Sequence, residues 1–275
     1  PGCDINDLGV LSRADDISES NWVQIRSDTP GKHVRSVRVN FNQWAGWNFG
    51  GDRRFSGGNV NAHWVLTNSW SFGGGVNMNA TGFSDRLTRG GPGGRVNGVL
   101  SQWGYLNTDN RKAVSGQANI SWFTDHDGST GWNVSPSITW RARSSLSVGA
   151  GAGYNRSVNA TQWVEKLTTA GVPHYVFGRV DQTTVSLSTR VNYTITPALS
   201  IQIYAAPFVS AGGYSAFKEL VDGRATAYAN RYAPYAYGAN PVYVSHSVPA
   251  PIEVQLETDR PIYRPAQKVF FKGIL

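Results

Sequence analysis

The chain has 275 residues, with 25 Lys and Arg against 18 Asp and Glu for a formal charge of +7, yet only 16% of its residues are charged. Soluble domains carry about a quarter charged residues; here charges are few, mean hydropathy is still negative, and no run reaches the ~18 apolar residues that a spanning helix needs. This excludes a helical membrane protein and suits strands in which every second residue is allowed to be polar.

The first predicted strand is 21–27, turned by Thr29-Pro30-Gly31-Lys32. In 34–49, Val37, Val39, Phe41, Ala45, Trp47 and Phe49 share one parity, and Arg38, Asn40, Asn42 and Asn48 the other. Successive side chains of a strand point to opposite faces, so such a segment has one apolar and one polar side. Segment 57–66 repeats this with Val60, Ala62, Trp64 and Leu66 against Asn59, Asn61 and His63, and 71–82 with Phe72, Val76, Met78 and Ala80 against Asn77 and Asn79. The loop 83–94 contains Gly90-Gly91-Pro92-Gly93-Gly94. Strand 95–106 is the least regular, because Val99, Trp103 and Tyr105 fall on one parity and Leu100 on the other.

Strand 113–124 sets Val114, Ala118, Ile120 and Trp122 against Ser115, Gln117, Asn119 and Ser121. The clearest pattern is 131–142, where Trp132, Val134, Pro136, Ile138, Trp140 and Ala142 alternate with Asn133, Ser135, Ser137, Thr139 and Arg141. A Trp near each end with aliphatics between matches a lipid-facing strand, since indoles settle at the two membrane interfaces. Strand 146–156 carries Leu146, Val148, Ala150, Ala152 and Tyr154 on one side. A connection over 157–174 then leads into an arm ending at Thr196, with Val185, Leu187, Val191, Tyr193 and Ile195 opposite Ser186, Ser188, Arg190 and Asn192. After Thr196-Pro197-Ala198, the last strand is 199–210; helical spacing is found only in 12–20 and 215–222.

Reversals at 28–33, 67–70, 107–112, 143–145 and 196–198 are short, and those at 50–56, 83–94, 125–130, 157–174 and after 211 are mostly longer. Outer-membrane barrels sort short periplasmic turns from longer extracellular loops in this way. The expected fold is therefore all-β: an antiparallel up-and-down transmembrane β-barrel with about ten strands visible, part of a larger barrel because ten unclosed strands leave two unpaired edges. The expected lumen-lining set is Arg38, Asn40, Asn42, Asn61, Asn77, Asn79, Asn119, Arg141, Arg190 and Asn192. The expected lipid-facing aromatics are Trp47, Trp64, Trp122, Trp132, Trp140, Tyr154 and Tyr193.

Residues 1 to about 235 resemble an uncharacterised bacterial outer-membrane family whose members carry an N-terminal carbohydrate-binding module of the family-nine type before a C-terminal barrel. The resemblance rests on Asn6-Asp7-Leu8-Gly9, on Asn40-Phe41-Asn42-Gln43-Trp44-Ala45-Gly46-Trp47-Asn48-Phe49-Gly50-Gly51 and on Thr88-Arg89-Gly90-Gly91-Pro92-Gly93-Gly94. It continues in Tyr175-Val176-Phe177-Gly178-Arg179-Val180-Asp181-Gln182-Thr183-Thr184 and Phe217-Lys218-Glu219-Leu220. It implies an anchor or pore linked to carbohydrate binding or uptake, in the outer membrane of a Gram-negative bacterium; the sandwich module and the family's closing strands with a terminal aromatic residue are absent from this sequence. Residues 252–275, including Thr258-Asp259-Arg260-Pro261-Ile262-Tyr263-Arg264-Pro265, are similar to the opening of the first macroglobulin domain of bacterial alpha-2-macroglobulin-like proteins. The expected division is 1–235 barrel segment, 236–251 linker and 252–275 macroglobulin-like fragment.

Candidate chemistry is sparse. Asp125-His126-Asp127 offers ligand types for a metal, but adjacent strand-end residues point alternately, and an Asp-Gly reversal accounts for Asp127-Gly128. No Gly-x-Ser-x-Gly, His-Glu-x-x-His or P-loop occurs, so no enzyme and no cofactor are expected. No basic run, RNA-binding signature or zinc spacing accompanies the charge of +7, so nucleic acid is not an expected partner. The expected partners are outer-membrane lipid and lipopolysaccharide, with Arg53, Arg54, Arg86 and Arg89 as contacts to its phosphates, and carbohydrate. Cys3 follows only Pro1 and Gly2 and is read as a loop position. The alternative readings are a secreted or cell-surface all-β carbohydrate-binding or adhesin module and part of an alpha-2-macroglobulin-like surface protein.

Overall fold

The computed structural model describes residues 13–197 and 199–237, and beyond them the backbone of 242–246, 255–258 and 271–274. The expectations resting on Cys3, on residues 6–9 and on the side chains of 252–275 lie outside the described residues. The structure is all-β. In chain order the elements are β1 (Ile17–Ser27), β2 (Val34–Trp47), β3 (Arg53–Leu66), β4 (Ser71–Asn79), the short β5 (Gly82–Ser84) and β6 (Gly94–Val96), β7 (Val99–Asn107), β8 (Val114–Asp125) and β9 (Thr130–Arg143). They continue with β10 (Leu146–Thr169), β11 (Val172–Thr196), β12 (Leu199–Ala205), β13 (Phe208–Leu220), α1 (Tyr228–Arg231), β14 (Tyr232–Pro234), β15 (Val242–His246), β16 (Gln255–Thr258) and β17 (Phe271–Ile274).

One large sheet runs β1-β2-β3-β4-β7-β8-β9-β10-β11-β12, each strand antiparallel to the next, while β5 and β6 pair apart from it. Strands β12 and β13 act as one. Thr189 opposite Ala205 and Ser186 opposite Phe208 keep a single register along β11, and the interruption falls at Pro207, which has no N–H to donate. Its carbonyl still accepts from the Leu187 N–H at 2.9 Å. Ten long strands thus form a meander in which each neighbour in sequence is a neighbour in space. Among the described residues nothing pairs with the outer edge of β1, so the sheet is open there and no closed barrel forms.

The register carries the alternation across strands. Phe41 faces Val60, which faces Val76; Ile120 faces Val134, Trp122 faces Trp132, and Tyr154 lies between Val134 and Val185. These residues share one apolar face. Among the described residues no second layer lies against it: Val60, Ile120, Trp132, Ile138, Trp140 and Leu187 are all exposed.

Only six apolar residues among those described are buried, and four of them, Val158, Ala160, Val176 and Phe177, sit in the outer part of the β10–β11 hairpin, with Tyr232 against them. Phe177 meets Trp163 and Tyr232 edge-on, with ring centroids 5.3 and 5.4 Å apart, in an arrangement that the ring quadrupoles favour. The packed core therefore lies beyond one end of the sheet, in a head built from this hairpin, β13, α1 and β14.

Three expectations are corrected. Residues 157–174 are the continuation of β10 and β11, strands of 24 and 25 residues, and not a loop. Bulges between Asn159 and Gln162 and between Trp163 and Glu165 shift the register, and each extra residue swaps the parity, so a period-two pattern is lost although the strand goes on. Of the segments with helical spacing, 17–20 is strand in β1 and 215–220 strand in β13, and the helix observed among the described residues is the single turn Tyr228–Arg231. The sorting of connections is also weaker than expected. Asn48–Asp52 closes as tightly as the turns at the opposite end, with Gly51 at φ +84° and the Asp52 N–H bonded to Asn48 Oδ1 at 2.8 Å. The chain between β4 and β7, the long hairpin and the segment after Leu220 supply the mass at that end.

Candidate functional site on the polar face

The face opposite the apolar one is lined by carboxamides. Asn40 Nδ2 donates to Asn61 Oδ1 (2.7 Å), Asn61 Nδ2 to Asn59 Oδ1 (3.0 Å), Asn59 Nδ2 to Asn77 Oδ1 (2.8 Å) and Asn77 Nδ2 to Ser101 Oγ (3.1 Å). Asn42 joins at Asn59 Oδ1 (2.5 Å). The ladder crosses β2, β3, β4 and β7 because Asn40 stands opposite Asn61, and Asn42, Asn59 and Asn77 stand in one row. Each Asn in it spends one N–H on its neighbour and keeps the second.

All ten residues expected on the inner side share this face. Arg38 stands opposite His63; Asn119 stands opposite Tyr105; Asn79 accepts from Trp44 Nε1 at 3.0 Å. Arg141 and Asn192 both face Ser147, and Arg190 faces Gly149 with its guanidinium 5.3 Å from the Tyr204 ring centroid. Of the seven aromatic residues expected on the outer side, Trp64, Trp122, Trp132, Trp140, Tyr154 and Tyr193 fall in register on the other face, Trp64 stacked on Phe72 (5.2 Å) and Trp122 tilted against Trp132 (5.9 Å), while Trp47 stands at a register shift opposite Arg53.

What the sequence pattern missed is a set of aromatic rings on the polar face. Trp103 faces Gly75 and Tyr105 faces Gly73, in the rows of Asn61 and His63. A side chain on Gly75 would reach 3.1 Å from the Trp103 ring, and one on Gly73 2.7 Å from the Tyr105 ring, so both rings lie down over bare backbone. Trp44 does the same over Gly57, and His63 bridges Tyr105 Oη (2.9 Å) and Asn61 Oδ1 (2.9 Å). The signal that could have found them is the glycine spacing 57, 73, 75 on one parity, read against the next strand's aromatics. On the apolar face Gln102 is a matching exception, in register with Val76 and Trp122.

The four arginines expected at lipopolysaccharide are brought to the head end. Arg54 pairs with Asp16 and lies 5.6 Å from the Phe55 ring centroid, and Arg53 donates to the Thr81 carbonyl (3.1 Å). Arg86 and Arg89 lie between β5 and β6, with Arg89 at φ +52° beside Gly90. Deeper in, Arg231 is buried and donates to the Arg95 carbonyl (3.1 Å) and Asn97 Oδ1 (3.2 Å), 3.9 Å from Asp127. It borders a polar cavity of about 140 Å³ shared with Ser129, Asn159, Thr161 and Tyr228. Burial drives the Tyr232 hydroxyl well above its ordinary pKa. Asp125 takes a turn role: its Oδ1 accepts from the N–H groups of Asp127 (2.9 Å) and Ser129 (2.8 Å). Among the described residues no three His, Cys, Asp or Glu converge as a metal site would require.

A family model described as a domain of unknown function, DUF5916, matches residues 2–242. The chain belongs to this family. The DUF5916 match takes in all ten long strands and the head, and stops at the first residue of β15. No curated protein and no solved structure matches the chain. Within DUF5916, the open sheet with unlike faces and the packed head are the features on which a function has to be built.

Proposed function

We propose that this DUF5916 chain is the wall of an outer-membrane β-barrel, non-enzymatic, acting as anchor or pore. In this reading the apolar face meets acyl chains, the polar face borders a water-filled interior, and the head projects outside. The observation that carries it is the apolar face itself. Apolar surface patches on monomeric soluble proteins rarely exceed a few hundred Å², and a sandwich would cover such a face with a second sheet; here large apolar side chains stay exposed across ten strands. Trp132 and Trp140 are eight residues apart in β9, about 27 Å along an extended strand. With the usual tilt of about 40° this is about 21 Å along the membrane normal, a little less than the apolar band of about 25 Å between aromatic girdles. Arginines at the head end would then meet lipopolysaccharide phosphates as charge-assisted donors.

The test uses the full chain with Cys3→Ser, folded into liposomes, carrying either Ile138→Cys or Thr139→Cys. A membrane-impermeant maleimide is expected to label position 139 from the aqueous side and to spare position 138, and brominated acyl chains to quench the tryptophans. A folded, monodisperse monomer in detergent-free buffer would overturn the reading in favour of a surface-exposed all-β module.

A further inference from the structure

We infer that the polar face carries an oligosaccharide track running down the β3–β4 pair. Three rings from flanking strands converge on that pair, each over a glycine: Trp44 over Gly57, Trp103 over Gly75 and Tyr105 over Gly73. Cross-strand aromatic–glycine pairing explains why the rings lie down, since each covers backbone that would otherwise be bare. It does not use the other side of the ring. None of the three is fully buried, and the His63 ring beside Trp103 and Tyr105, 5.8 and 5.7 Å away and tilted 38° and 34°, borders them. Trp103 and Tyr105 are neighbours on one face of one strand, with planes only 10° apart and centroids separated by 6.2 Å, so their faces are parallel, and we take the two rings together as the floor of the track.

The chemistry around the floor selects the ligand. A purely apolar molecule would take water from the amide hydrogens of Asn59, Asn61 and Asn77 that the ladder does not use, at a cost for each unmet group. A purely ionic one gains nothing from three aromatic faces. A pyranose ring has both characters. Its axial C–H groups form an apolar, weakly positive patch that suits the negative face of an aromatic ring, and its rim of hydroxyls can accept the spare Asn N–H groups and donate to carboxamide oxygens. Same-face positions recur about every 7 Å along a strand, so successive rings can hold neighbouring units of one chain. Arg38 lies beside the floor, in the row of His63 and Tyr105, and would add attraction for acidic sugars.

The inference rests on the polar face being wet, as the proposed barrel requires. The full chain, folded in liposomes, is titrated calorimetrically with maltohexaose, cellohexaose and hexagalacturonic acid, and the quenching of Trp132 by brominated lipid is read on the same samples. The expected result is saturable binding of at least one of the three, weakened at least about tenfold by Trp103→Ala, partly restored in Trp103→Phe, and unchanged by Trp140→Phe on the opposite face. Absence of binding for all three probes, or equal binding by Trp103→Ala, overturns the track. If quenching persists while binding fails, the barrel reading survives without the track; binding without quenching removes the membrane and leaves the track.

Discussion

The sheet and the head are held together by different forces. In the sheet from β1 to β9, cohesion comes from ladder hydrogen bonds and from carboxamides joined side by side, such as Asn40 to Asn61 and Asn59 to Asn77; the apolar side chains touch along one face and stop there. In the head, Val176 and Phe177 are almost wholly excluded from solvent, and cations are folded inside, Arg231 and Lys218 both against tyrosine rings. The head has the interior of a water-soluble protein, and the sheet lacks one. Backbone groups satisfied strand to strand with apolar side chains outward are the solution that a bilayer demands, because no water is there to accept or donate. In the proposed reading the two regions meet two solvents.

The largest expected effect separates them cleanly. Phe177→Ala removes the ring that Trp163 and Tyr232 pack against, and core Phe→Ala changes cost about 3–5 kcal/mol. Hydrogen exchange is expected to lose protection in the outer β10–β11 hairpin and in β13 through β14, while β2 to β9 keep theirs. Equal loss throughout would show that the sheet depends on the head for its stability and would erase the distinction.

A smaller effect probes the sheet's outer solvent. Ile120 is exposed on the apolar face, one step along the strand from Trp122, and Asn119 beside it faces the other way. In a bilayer, Ile120→Arg is expected to cost about 2 kcal/mol, since arginine on the lipid face of a barrel costs about 2–4 at the midplane and less toward the interfaces. Asn119→Arg, on the wet side, should cost far less. Refolding equilibria in urea-containing liposomes measure both. In water alone the pair would be nearly equal, because an exposed surface position tolerates arginine within about 0.5 kcal/mol.

How much of this was legible beforehand follows from the same contrast. Where the strands are regular and their two faces differ, parity is enough: the strand 131–142 read from Trp132, Ile138 and Trp140 is observed as Thr130–Arg143, and the ten polar residues from Arg38 to Asn192 fall in register on one face of the sheet. Where the chain leaves that regime, parity fails. The bulges near Asn159 and Trp163 swap faces within one strand, and of Phe217 and Leu220, three apart as in a helix turn, Leu220 pairs with Tyr232 of β14 while Phe217 falls at a register shift between β11 and β13, its carbonyl accepting from the Tyr235 N–H. The aromatic floor was hidden for a different reason. Trp103 and Tyr105 look like outward residues until Gly73 and Gly75 are placed opposite them, and that opposition exists only once the register is known.

The smallest effect concerns how the segment before β1 is tied to the head-end loops. Arg13 grips Asp85 through two hydrogen bonds of 2.6 and 2.7 Å, and this contact holds the Asp85 carboxyl below its ordinary pKa. A carboxylate whose pKa is lower folded than unfolded adds stability at pH above its ordinary value near 4, and that contribution is lost as the pH falls through the depressed value. The pair is partly solvated, with 31% of the Asp85 side chain exposed, so it is worth about 0.2–1 kcal/mol and is screened by salt. Proteolysis after Arg13 or Arg26 should therefore speed up below pH 4 and in high salt, and Asp85→Asn should show the fast rate already at pH 7. The sheet ladder of Asn40, Asn59, Asn61 and Asn77 is built from neutral amides, with His63 on Asn61 as its ionisable neighbour and no carboxylate in it, and should stay insensitive below pH 4. If acid loosened both regions together, the two-solvent distinction would have to give way to a single cooperative unit.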